Sequence, residues 1–413
     1  MKKPKLAFIS PVFLFPTDAG GKIRTTNILR GLKGGAFDIT LLSPALAGQE
    51  KRWEASIKTV SDTFQAWPSQ KLRPRLQRAL DLFREIPVNV AADNTPSANQ
   101  FLAQSLSDRT FDLVVFDFVH AAILKPKSLK KATVCFTHNV EAEIFGRHAQ
   151  QATNPIMRRI WSSQHEKMLR FEGEALRTFN SVIAVSERDA QMMRDNYRLS
   201  DVFDIPTGVD LDFFHWQPSP LISPETPPTV IFTGSMNWDA NIDGVKHFLD
   251  DVWPLVLQEI PEARFIVVGK NPPDFLVDRG SRLAGVSFTG FVDDVRPYVQ
   301  NAHVFVIPLR IGGGTRIKAF EAMAMGCPMV STAIGIEGLD IVPDEHFLLR
   351  DSADEQAEGI VMLLRNELMR ESLSRNARNC VEAHFGHQVA AQAFEKICLN
   401  TVEKYRASGH ARH

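Results

Sequence analysis

The feature that most constrains this chain is a pattern that runs, stops and starts again. From the N-terminus, short apolar runs alternate with helix-patterned stretches. "KLAFIS" is followed by the helical "KIRTTNILRGLKG", then by the runs "FDITLLS", "FDLVVFD", "ATVCFTH", "SVIAVS" and "DVFDIP", with helical segments between them, notably Pro155–Phe179. Apolar strands separated by helices predict a parallel sheet covered on both faces. The pattern halts at "HWQPSPLISPETPPT", residues 215–229, which holds five prolines and no periodicity. That composition is an interdomain linker's. The alternation then resumes with "TVIFTGS", the helical "NIDGVKHFLDDVWPLVL", "ARFIVVG", "VSFTG", "HVFVIPL", another helix and "PMVST". The chain therefore reads as an α/β protein of two doubly wound domains. The first spans 1–207, the linker 208–228 and the second domain 229–387, and a last helix within 388–413 is long enough to return to the first domain. A length of 413 residues suits two such domains. Ligands of open parallel sheets sit at the C-terminal edges of the strands. Two domains facing each other there would enclose a cleft for a small molecule.

Composition excludes several classes. Hydrophobic residues are 44% and charged residues 23%, as in soluble globular proteins. No apolar run reaches the ~18 residues of a membrane span, and the short run after Met1 reads as a first strand rather than a signal peptide. The scattered cysteines Cys135, Cys327, Cys380 and Cys398 lack metal-ligand spacing and read as reduced thiols of a cytoplasmic protein. The net charge of -1 hides an asymmetry: residues 1–206 carry 29 basic and 21 acidic side chains, and the remainder 18 and 27. A basic first half suggests an anionic contact. Within it, "KLRPRLQRALDLFR" (71–84) places Leu72, Leu76, Leu80 and Phe83 on one helical face, with Lys71, Arg73, Arg75, Arg78 and Arg84 around them. That pattern predicts peripheral contact with an anionic membrane surface, at the inner face of the cell membrane. No feature calls for a nucleic-acid partner.

The richest stretch is "IGGGTRIKAFEAMAMG", from Ile311 to Gly326. It follows the strand "HVFVIPL". Glycines let the chain turn close to a ligand. A helix from about Thr315 to Met325 then offers free N–H groups and a positive dipole end to an anion. Arg316 and Lys318 oppose that dipole, so helix stability alone does not account for them; a bound phosphate does. Lys318 and Glu321 share a face. Glu321 lies ~9 Å along the axis from Thr315, at ~1.5 Å per residue. That is the separation of a diphosphate from the ribose hydroxyls of the same nucleotide. The stretch is neither a dinucleotide fingerprint nor a Walker loop.

"GGGTRIKAFEAMAMGCPMVST", with "VSFTGFVDDVRPYVQNAHVFVIPL" before it, resembles the nucleotide-binding half of the retaining group 1 glycosyltransferases, a family with the GT-B fold of two facing Rossmann-like domains. The likeness continues in "PVFLFPTDAGGKIRTTNILRGL" for the first glycine loop, "FTHNVE" for the catalytic histidine segment and "IPTGVD" for the interdomain hinge. The resemblance implies roles for individual residues. Gly314 and Thr315 would offer backbone N–H groups to the diphosphate, Phe291 and Val292 would border the base, and Glu321 would take the ribose. Gly20 and Gly21 would let the first domain's loop approach the distal phosphate and the sugar. His138 would face the reacting sugar. The family motif carries two glutamates; Gly313 stands where the first belongs, and "GSMNWDANIDG" replaces the family's Gly-Arg and phosphate-binding Lys.

His138 follows a buried strand, where its ring or backbone carbonyl could stabilise an oxocarbenium ion. The family resemblance implies a front-face transfer with retention. The leaving diphosphate accepts the proton of the acceptor hydroxyl, while Arg316 and Lys318 neutralise its charge without a metal ion. The expected donor is a nucleotide-sugar, with UDP ahead of GDP, and the expected acceptor a saccharide or a lipid-linked one in polysaccharide or glycoconjugate synthesis. A nucleotide-sugar 2-epimerase and a non-catalytic nucleotide-sugar binder are the competing classes, the latter suggested by Gly313.

Overall fold

The computed structural model describes residues 3–69, 81–108, 110–152, 154–311 and 316–409. It divides into two compact units, one of residues 1–208 with 387–413, the other of residues 209–386.

The N-terminal unit is built on a seven-stranded sheet. Its strands are β1 (Lys5–Ile9), β2 (Asp38–Ala45), β3 (Thr63–Pro68), β4 (Leu113–Asp117), β5 (Ala132–Phe136), β6 (Ser181–Ala184) and β7 (Val202–Asp204). Every pairing is parallel, in the order β3-β2-β1-β4-β5-β6-β7. Strands buried on both faces need uninterrupted apolar runs, and all five residues of β4 and of β5 are buried. The helix α1 (Gly20–Leu32) connects β1 to β2. The order reverses between β1 and β4, so the C-terminal ends of these two strands form a switch point, where doubly wound sheets bind ligands.

The last helix, His387–Ala407, belongs to this unit. Phe394 is fully buried, with its ring 5.2 Å from that of Phe136. A Cβ added to Gly31 of α1 would lie only 2.3 Å from Ala391 Cβ, so glycine is what lets the two helices approach.

The C-terminal unit repeats the plan with β8 (Thr229–Thr233), β9 (Arg264–Val268), β10 (Val286–Gly290), β11 (Val304–Ile307), β12 (Met329–Ser331) and β13 (Leu348–Leu349), all parallel, in the order β10-β9-β8-β11-β12-β13. Its switch point lies between β8 and β11. The proline-rich segment is not a free tether. Trp216 Nε1 donates to Ser374 Oγ at 3.0 Å, the Gln217 N–H donates to the Met325 carbonyl at 3.3 Å, and Ile222 packs on the second core.

The helix after β11 runs Ile317–Met325 with Arg316 at its N-cap, shorter at its start than the sequence pattern suggests. It ends at Gly326, whose φ of 79° is the left-handed conformation a helix stop requires. No described helix is long and apolar enough to cross a membrane.

Candidate functional site

Each switch point carries a polar cluster. In the C-terminal unit it forms where helix Ile317–Met325 meets the end of β8. Ala319, Phe320, Ala322 and Met323 are buried, which turns Lys318 and Glu321 toward the opposite face. The Lys318 ammonium donates to Asn241 Oδ1 at 3.1 Å and lies 4.3 Å from the centre of the Phe232 ring. A Cβ built on Gly234, just past β8, would be 2.9 Å from that ammonium. Gly234 thus keeps the strand end bare beside the cation.

Both titratable groups are far from their ordinary values. Burial, with a smaller contribution from the Arg316 charge, pushes the Lys318 ammonium down to about 7. Burial pushes the Glu321 carboxyl up to about 7, against the pull of Lys318. Each side chain keeps part of its surface, which tempers these penalties and leaves both within reach of a ligand. Among the described residues, the Glu321 carboxylate makes no hydrogen bond. Arg316 is buried, and its Nε and Nη2 donate to the Ile334 carbonyl at 3.3 and 3.2 Å. Its guanidinium charge is close enough to act on Lys318.

Phe291 is 72% exposed, beside a half-buried Val292 that packs on the core. Gly312, Gly313, Gly314 and Thr315 lie outside the described residues, as does most of the 71–84 segment. The lysine, the lone carboxylate and the helix start have the parts needed for a diphosphate and a ribose, and Phe291 offers an exposed ring in the same unit.

In the N-terminal unit the cluster is built around Asp117, the last residue of β4, which sequence reasoning missed. Its buried carboxylate accepts from Ser10 Oγ at 3.0 Å, from Thr25 Oγ1 at 3.0 and 3.1 Å, and from His138 Nε2 at 2.7 Å. Ser10 follows β1, Thr25 lies on α1 and His138 follows β5, so three elements converge on one carboxylate. The signal available in the sequence was a carboxylate closing an otherwise apolar strand run, "FDLVVFD".

His138 is only 3% exposed. Phe118 stacks on its ring with centroids 3.9 Å apart, and Phe136 lies tilted at 4.5 Å. With Nε2–H given to Asp117, Nδ1 is left as an acceptor, 3.5 Å from Arg24 Nη1. Burial holds the imidazole below its usual range despite Asp117, so the ring is neutral at physiological pH. The ring is therefore an enclosed element of the strand edge, and both nitrogens have partners, which sequence position could not reveal.

Gly20 and Gly21 are the first residues of α1 rather than part of a loop. A Cβ on Gly21 would lie 2.5 Å from Phe118 Cζ, so this glycine leaves room for the ring that covers His138. Behind the cluster, buried Glu172 caps the helix that follows His138. It accepts from the Glu141 and Ala142 N–H groups at 3.0 and 3.1 Å and from the Tyr197 hydroxyl at 2.7 Å. His120, whose ring lies 5.1 Å from that of Phe118, pairs with Asp93.

Two parallel-sheet units with polar clusters at their switch points define the GT-B class. Solved structures of this fold match along nearly the whole chain. A sucrose-phosphate synthase from Thermosynechococcus elongatus superposes with a TM-score of 0.67 at 18% identity, over 99% of this chain and 100% of that one. Anabaena HepE, in complex with UDP, superposes with 0.67 at 14% identity, over 95% and 98%. Residues 19–213 match the family described as "Glycosyltransferase Family 4", and residues 227–366 match "Glycosyl transferases group 1". The chain belongs to the group 1 glycosyltransferases. A phosphatidyl-myo-inositol mannosyltransferase of Mycobacterium tuberculosis is 30% identical over 202 residues, which are 47% of this chain and 53% of that protein. The chain spans about half the length of the curated relatives it matches.

Proposed function

We propose that this chain moves a sugar from a nucleotide-sugar, with a UDP-sugar preferred, to a saccharide or lipid-linked acceptor, with retention of anomeric configuration. The observation that carries this reading is the Lys318–Glu321 face, beside the bare Gly234 strand end at the C-terminal unit's switch point. A diphosphate next to Lys318 would restore its proton and charge, and Glu321 would accept the ribose hydroxyls. Charge on the diphosphate grows as the glycosidic bond breaks, so Arg316 and Lys318 stabilise the transition state more than the bound substrate. The leaving diphosphate takes the acceptor proton, and no metal ion is required. Asp117 fixes His138 at the strand edge of the acceptor-side unit.

UDP in the HepE complex supports the choice of base, and the phosphatidyl-myo-inositol named for the mycobacterial relatives supports a lipid-linked acceptor. Exposed Phe83, Ile156 and Met157, the last two followed by exposed Arg158 and Arg159, favour peripheral contact of this unit with an anionic membrane from the cytoplasmic side. The deciding experiment incubates the protein with a panel of UDP- and GDP-sugars and a membrane extract, with and without EDTA, and identifies the product by mass spectrometry and its anomer by NMR. A glycosylated product formed in EDTA, with the donor's anomeric configuration, is the expected outcome. Free epimerised nucleotide-sugar, or binding without turnover, would replace the transferase reading with one of its competitors. Co-sedimentation with anionic liposomes at low salt tests the membrane contact, and a protein left in the supernatant refutes it.

A further inference from the structure

The N-terminal unit holds a buried cation that its own residues leave half-satisfied. Arg24 lies in the second turn of α1 and is 5% exposed. Its Nη1 faces His138 Nδ1 at 3.5 Å, while Nε and Nη2 have no hydrogen-bond partner among the described residues. Those two nitrogens form one edge of the guanidinium plane, the edge whose parallel N–H bonds fit two oxygens of a carboxylate or phosphate. The same protein uses that edge in this way elsewhere: Arg310 Nε and Nη2 donate to the two oxygens of Asp243 at 3.1 and 2.7 Å. Arg24's edge has no such carboxylate.

Two carboxylates influence it from a distance. Burial outweighs the attraction of Asp189 and Asp117 and brings the guanidinium down to about 10, so it stays charged at neutral pH. Asp117 is fully engaged by Ser10, Thr25 and His138. The Asp189 carboxylate pairs with Arg188 at 3.3 Å and is hydrogen-bonded by Ser186. A buried charge with unmet donors is costly to the fold, and such cost persists where something outside the chain relieves it. The start of α1 has Ala19 as its N-cap, with no side-chain cap and no acidic residue in the first turn, and Asp18 before it pairs with Lys22. The site also lies at the β1/β4 switch point.

We propose that Arg24 anchors an oxyanion site in the N-terminal unit, taking a phosphate or carboxylate group of a substrate on its Nε–Nη2 edge while Nη1 keeps His138 in place. This site rests on the Arg24 geometry and not on the donor cluster of the C-terminal unit. Two substrates could bring the anion: the nucleotide-sugar through a phosphate, or the acceptor through a phosphate or a uronic carboxylate.

The test uses the full chain. UDP, inorganic phosphate, glycerol 3-phosphate and glucuronate are titrated by calorimetry into the wild type, Arg24→Gln and Arg24→Lys, and the Arg24 Nε–H resonance of the wild type is followed by ¹⁵N NMR. Lysine keeps the charge but loses the fork, so both variants are expected to lose at least tenfold in affinity for the cognate probe, which also shifts the Nε–H resonance. Loss confined to UDP assigns the anion to the donor. Loss for glycerol 3-phosphate or glucuronate, with UDP affinity intact, assigns it to the acceptor. Ligand-free Arg24→Gln is expected to melt no lower than the wild type. An Nε–H resonance that stays fixed at saturating concentrations of all four probes, or a ligand-free Arg24→Gln that melts well below the wild type, overturns the proposal. UDP binding in Glu321→Ala, measured alongside, reports separately on the donor reading.

Discussion

Replacing Glu321 by Gln should make the protein more stable and its nucleotide binding weaker. The carboxyl is held at about 7 against an ordinary 4.5, so the folded state prefers it protonated. The sign follows directly. Such a group adds no penalty below about pH 4.5, costs progressively more as pH rises from 4.5 to 7, and costs a constant amount above 7. At roughly 1.4 kcal/mol per pH unit the ceiling is about 3.5 kcal/mol, and the surface left to the side chain lowers this to about 1–2 kcal/mol. Gln keeps the shape without the charge. Urea unfolding at pH 5, 6, 7 and 8 should show the variant gaining on the wild type through that interval and levelling off near pH 7–8. The same variant should bind UDP about tenfold more weakly, because charge-assisted hydrogen bonds to the ribose are lost. A variant of unchanged stability at pH 8 would mean that the carboxylate is well solvated, and unchanged UDP affinity would remove Glu321 from the nucleotide site.

Three further outcomes are expected. UDP affinity in the wild type should fall by up to ~10-fold per pH unit above the Lys318 value of about 7, with proton uptake detectable by calorimetry in buffers of different ionisation enthalpy, and Lys318→Met should bind weakly and lose that decline. Asp117→Asn should lose about 2–3 kcal/mol of stability, because one of its oxygens becomes a donor facing Thr25 and either Ser10 or His138; a melting temperature equal to the wild type's would show that the cluster tolerates an amide. Gly21→Ala should cost about 1–3 kcal/mol and reduce transfer, since its Cβ would fall 2.5 Å from Phe118 Cζ and displace the ring covering His138; thermal melts and turnover together check both effects.

The fold was legible because its signal is local. Runs such as "FDLVVFD" and "ATVCFTH" can be buried on both faces only in a parallel sheet covered by helices, and the proline cluster marks where the alternation stops. The Lys318–Glu321 pair was legible for the same reason, since a spacing of three places two side chains on one helix face whatever surrounds them. Strand order, and with it the switch points, depends on which strands pair across tens of residues, and that choice is settled by packing. So were the partners of His138. Its place after a strand is a local fact, but Asp117, Thr25, Arg24 and Phe118 reach it from β4, α1 and the turn after β4, from 20 to 114 residues away. The proline-rich stretch shows the same limit: its composition says that it cannot be a helix or strand, while only tertiary contact could seat Trp216 and Ile222 on the second unit. The sequence by itself determined the elements, their covered parallel sheets and the polar face of one helix, because these follow from periodicity. Tertiary structure alone decided that His138 is enclosed and neutral and that Arg24 is buried with a free edge, because burial and hydrogen-bond satisfaction belong to residues brought together from distant parts of the chain.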